Sequence, residues 1–118
     1  MTRITRRLFI AFAAVLAPGV ARAHHGWGGY DTGKAFTLTG PVRTSAYENP
    51  HCEITMQGEG KVWEFVLAPP QRMQSRGVTP QMIAPGKTCT VHGYPHNSKA
   101  TEARIEYMLV DGKRYELR

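Results

Sequence analysis

The chain has 118 residues, 15 Lys and Arg against 9 Asp and Glu, 5 His and 2 Cys. Four of the basic residues (Arg3, Arg6, Arg7, Arg22) fall in the first 23 positions, which leaves eleven against nine, or +2, for the rest. So small an excess, with no run of Lys or Arg, argues against a nucleic-acid partner, and about 95 residues suffice for one domain with a modest core but not for two.

Residues 1–23 read as a cleaved export signal. Met1 to Arg7 is basic, Leu8 to Ala17 is uncharged and apolar, and Ala21-x-Ala23 offers the small side chains that signal peptidase requires. The apolar run is ten residues long, half of what a membrane span needs, so no stable membrane anchor is expected. Thr5-Arg6-Arg7-Leu8-Phe9-Ile10 fits a twin-arginine signal, and an ordinary Sec leader fits the same residues. Either route predicts a periplasmic or secreted protein.

Residues 24–35 form a glycine-rich arm. Gly26, Gly28, Gly29 and Gly33 alternate with Trp27 and Tyr30, a composition that favours an irregular terminus able to pack two aromatics onto a body. The body is residues 36–118. Phe36, Leu38 and Val42 give a first strand bent near Gly40-Pro41. After Asn49-Pro50, Cys52, Ile54 and Met56 alternate with His51, Glu53 and Thr55, so the first set faces a core and the second faces out. Gly58-Glu59-Gly60 closes a hairpin to a third strand over Lys61 to Leu67.

Gln71 to Arg76 predicts a short helix ended by Gly77, and Thr79-Pro80 predicts a capped turn through Ile83. Lys87 to Tyr94 predicts a fourth strand with Cys89 and Val91 inward and Thr90 and His92 outward. Glu102 to Val110 is a weaker fifth strand, Asp111-Gly112 is a type I′ hairpin signal, and Lys113 to Leu117 follows. Three strands, a short helix and further strands predict an all-β fold: a small closed barrel of the oligonucleotide/oligosaccharide-binding type, with the helix between strands three and four. A sandwich is the alternative, but closure removes sheet edges that a chain this small would otherwise expose.

Several stretches resemble a family of small exported bacterial proteins catalogued as a domain of unknown function. They are His24-His25-Gly26-Trp27 with Tyr30-Asp31, Leu38-Thr39-Gly40, Glu48-Asn49-Pro50-His51, Pro70 to Gly77, and Val91-His92-Gly93-Tyr94. The resemblance spans most of the exported chain and implies compartment and fold. It implies no activity.

Chemistry therefore has to come from the residues. Cleavage after Ala23 would place a free amine and an imidazole on His24, a chelating pair that a third nitrogen completes as a histidine brace. Nitrogen-rich planar sites of this kind favour Cu(II), and both donors lose their protons readily near neutral pH. His25, His51, His92 and His96 are the candidates for the further nitrogen. The expected ligand is a metal ion, copper before others. The other reading is a metal-free barrel whose exposed Trp27, Tyr30, Trp63 and Tyr94 contact a partner protein or small ligand.

No nucleophile, base and acid occur together, and the carboxylates are scattered singly, so binding is expected rather than turnover. Cys52 and Cys89, both inward, leave a disulfide or two buried thiols open. Oligomeric state has no signal in the sequence.

Overall fold

The computed structural model describes residues 26–118. The strands are β1 (Phe36–Ala46), β2 (Glu53–Gly58), β3 (Lys61–Val66), β4 (Thr88–Pro95), β5 (Glu102–Val110) and β6 (Lys113–Glu116). Between β3 and β4 lie one short helix, α1 (Pro70–Ser75), and a 3-10 turn (Pro80–Ile83). The strand order is β3-β2-β1-β4-β5-β6, and a further β3–β5 pairing closes five of the strands into a barrel. This is the predicted small all-β barrel.

β1 serves both sides of the closure. Its first half, Phe36 to Pro41, pairs with β4, and its second half, Val42 to Ala46, pairs with β2. The change of partner coincides with a register shift between Val42 and Thr44, just past Gly40-Pro41. Proline has no N–H to give a ladder, so a strand is bent or handed over most easily there. β5 is divided in the same way: Glu102 to Arg104 pair in parallel with Glu64 to Val66, and Tyr107 to Val110 pair with β6. The barrel thus closes through a seam of three residue pairs.

Both predicted hairpins are tight. Glu59 and Gly60 have φ of 50° and 82°, and Asp111 and Gly112 have 52° and 80°, the paired positive φ values of type I′ turns. Gly77, at φ 91°, follows α1 where a left-handed residue ends a helix. Thr79 stands at the cap position of the 3-10 turn, but its hydroxyl makes no capping bond; its N–H instead donates to Met82 Sδ at 3.4 Å.

The core follows strand alternation. Ile54, Met56, Phe65, Val91, Ile105 and Met108 are buried inside the barrel, and Met73, Val78 and Ile83 seal one end from α1 and the turn. Tyr47 fixes that end by donating from its hydroxyl to the Val78 carbonyl at 2.6 Å.

Two sequence expectations need correction. Trp63 is buried, stacked on Phe65 at 5.8 Å and packed on Phe36 at 4.7 Å, so it is not an exposed contact; Val62 takes the outward place. In addition, β2 begins at Glu53, two residues later than expected, so His51 precedes the strand, although Cys52 still bonds to Ala68 and Leu67 main chain. Cys52 and Cys89 are both buried free thiols. Cys89 lies opposite Gly40, whereas Cys52 lies one position before the residue opposite Ala46. At the rise of a strand that is ~20 Å along β1, far beyond disulfide reach.

Candidate functional site

The arm is fastened to the barrel by main chain before any side chain is counted. Asp31 N–H donates to the Pro95 carbonyl at 2.8 Å, Asn97 N–H donates to Gly29 at 2.9 Å, and Tyr30 bridges His96. The arm lies alongside His96 here: an added Cβ on Gly29 would stand 3.4 Å from His96 Nε2. Trp27 lies on its side against Tyr94, with ring centroids 5.8 Å apart, while the Arg104 and Arg118 guanidinium carbons lie 4.7 and 4.8 Å from its ring centre. The expected docking of two aromatics is thus reinforced by two cations on one indole.

Docking leaves a pocket of about 750 Å³ between the arm and the seam. Gly26, Gly28, Gly29 and Tyr30 form one wall, and His51, Glu53, Val66, His96, Lys99, Glu102 and Arg104 form the rest. Tyr30 donates its hydroxyl to Glu102, which also lies 3.6 Å from the Lys99 ammonium. Burial, and then the bond to Glu102, hold the Tyr30 hydroxyl well above the ordinary phenol range. Tyr30 is therefore a fixed donor at neutral pH.

Arg104 has an unusual balance. It is half-buried, lies on Trp27 and donates to the Gly26 carbonyl at 3.3 Å. Burial lowers its pKa, and Arg72 and Arg118 push it the same way, while Tyr30 and Glu102 oppose them. Among the described residues no carboxylate reaches ion-pair distance of it.

The five histidines separate into three situations. His24 and His25 lie outside the described residues. His51 and His96 both line the pocket. His92 does not: it sits on the outer face of β4, bonded through Nδ1 to Thr37 Oγ1 at 2.9 Å and stacked on Tyr107 at 4.6 Å, with Arg114 covering the other face of that tyrosine at 3.6 Å.

His51 and His96 differ in what their ring nitrogens are free to do. Nδ1 of His96 accepts the backbone N–H groups of Ser98 and Lys99, each at 3.1 Å. In the neutral ring the proton is then on Nε2, which has no lone pair left for a metal. Nδ1 of His51 is shielded from solvent and makes no hydrogen bond, yet it lies 3.4 Å from Glu53 Oε2. A small rotation of either side chain makes it a donor to that carboxylate, which leaves Nε2 as the open nitrogen. A carboxylate behind one nitrogen is the usual support for a ligating histidine.

Among the described residues no three of His, Cys, Asp and Glu are grouped closely enough to hold a metal by themselves. Glu53 as the partner of His51 was open to sequence reasoning, since two residues apart on an extended chain share a face. Arg104 and the Tyr30–Glu102 pair had no such signal, because the latter joins positions 72 residues apart.

Residues 13–104 match the model of a family described as a family of unknown function (DUF6152), and the chain belongs to that family. No curated protein matches the sequence.

Proposed function

We propose that this DUF6152 protein is exported and holds a single metal ion, copper before others, at its mature amino terminus. The donors are the α-amine and ring of His24 with the Nε2 of His51; His25 is the alternative third donor, in which case His51→Ala keeps the metal. The observation that carries the reading is His51: a histidine in the pocket with a carboxylate behind Nδ1. Gly26 lines the same pocket, and His24 is two residues upstream, a reach of up to ~7 Å. His96 and His92 are the weaker candidates, one because its tautomer is fixed against ligation, the other because it is on the outer face.

Three neutral nitrogens suit Cu(II), and the open remainder of the pocket suits capture and transfer of the ion. The test is the intact mass of protein exported by its native host, under non-denaturing conditions, with and without one equivalent of Cu(II). A mass beginning at His24 with one retained copper, lost in His24→Ala and His51→Ala but kept in His92→Ala, is the expected result. A different first residue, or no retained metal, overturns it.

The reading without metal is a partner-binding barrel, favoured by the aromatics that remain outside: Trp27 and Tyr94 touch edge to face beside the stacked His92 and Tyr107. In that case His24→Ala leaves function intact.

A further inference from the structure

We infer that the pocket also takes a small monocarboxylate, with Arg104 as its anchor. A guanidinium drawn partly out of water gains from an anionic acceptor, because the charge it keeps from solvent needs compensation nearby. Arg104 has one weak bond to a carbonyl at 3.3 Å, and the rest of its fork is without a protein acceptor among the described residues. The nearest acid on its own face of β5, Glu102, is already engaged by Tyr30 and Lys99. Arg118, on the same indole, is paired with Glu106 at 3.7 Å, and Lys99 is paired with Glu102, so Arg104 is the cation of the pocket lining left without a carboxylate among the described residues.

The shape and composition of the pocket narrow the class. A volume of about 750 Å³ is far larger than a bare ion needs and lies in the range that holds small organic ligands. Val66, the Tyr30 ring and three glycines offer an apolar wall for a short hydrocarbon body. Glu53 and Glu102 on the lining oppose a dianion such as phosphate, whereas a single carboxylate matches the planar fork of arginine in two parallel bonds. The inference uses the same pocket as the metal reading but none of its ligands.

The experiment is an NMR titration of metal-free protein, held in chelator, with benzoate and separately with inorganic phosphate. Benzoate is expected to shift the Trp27 indole N–H and the Gly28 and Gly29 amides saturably. Arg104→Gln is expected to weaken binding at least tenfold and Arg104→Lys less, while Arg43→Gln, an exposed change elsewhere on β1, leaves it unchanged. Unmoved barrel amides in both Arg104 variants exclude a folding defect. The inference fails if Arg104→Gln binds as the parent does, if phosphate saturates the same signals more tightly than benzoate, or if nothing saturates by ~10 mM, where a millimolar site is filled. His24→Ala separates the two readings: it removes copper and leaves benzoate binding in place.

Discussion

Gly93→Ala tests the packing argument most severely. At the register shift between His92 and Gly93, β4 approaches β5 so closely that a Cβ on residue 93 would stand 2.1 Å from the Arg104 carbonyl oxygen. It would also stand 2.8 Å from the Arg104 carbonyl carbon and 2.9 Å from Ile105 Cα. Carbon and oxygen across a sheet settle at ~3.3 Å or more, so the strands must part by about 1 Å at that point. Every atom met is main chain, so no rotamer change relieves the contact.

Overpacking alone costs about 1–3 kcal/mol, and stretching the flanking ladder bonds adds about 1 kcal/mol each, for a total of about 3–5 kcal/mol. In a domain of this size that lowers Tm by at least ~12 °C. Urea unfolding followed by Trp63 fluorescence measures it, with Gly58→Ala as the comparison. There the added Cβ meets Leu38 side-chain carbons at 2.6 and 2.7 Å, which can swing away, so the loss should stay below ~1.5 kcal/mol. A Gly93→Ala protein within ~1 kcal/mol of the parent, or less damaged than Gly58→Ala, would refute the reasoning.

Three further outcomes follow from the same residues. Glu53→Gln removes the carboxylate behind His51 and should weaken copper retention by about 10–100-fold in a competition titration, with the fold unchanged by circular dichroism. Tyr47→Phe deletes the bond to Val78 and should cost about 1 kcal/mol in urea unfolding, leaving metal retention untouched. Cys52 and Cys89 should both count as free thiols after unfolding in a thiol assay. Burial raises each to about 11, so native alkylation at pH 8 should be slow. Because the folded state holds those protons longer than the unfolded chain, the contribution is fully present below the ordinary thiol pKa. It is lost as pH rises through about 11, and a Cys52→Ala, Cys89→Ala protein should show a flatter decline in stability across that window.

Alternation made the inward faces of β2 and β4 legible, because Cys52, Ile54, Met56, Cys89 and Val91 recur every second residue between polar neighbours. On β3 the same alternation is present but harder to read. There Glu64 points out, which by alternation puts Val62 out with it and Trp63 and Phe65 in; the apolar Val62 on the outward side and Val66 and Leu67 beyond obscure that signal, and Trp63 packs inward on Phe36 and Phe65. The helix position was legible from Pro70 and Gly77, and both hairpins from glycine placement. What a histidine can ligate was not legible. The contrast between His51 and His96 is set by Glu53 on one side and by two amides of a loop on the other; the strand-like spacing of His51 and Glu53 allowed the first, but the turn that folds the Ser98 and Lys99 amides back onto His96 Nδ1 leaves no periodic signal.

The seam between β3 and β5 has a dynamic consequence. Three parallel pairs close the barrel there, and the pocket straddles them, with His51 and Glu53 on the β2 side and Glu102 and Arg104 across the join. Amides at a short ladder exchange with solvent through local opening before the rest of the sheet does, so Glu64, whose N–H donates across the seam to the Thr101 carbonyl at 2.7 Å, should exchange early among the strand amides. A guest gripped from both sides acts as a clasp across that join. Slowed hydrogen exchange at the seam would therefore report occupancy even for a ligand that leaves no optical signature.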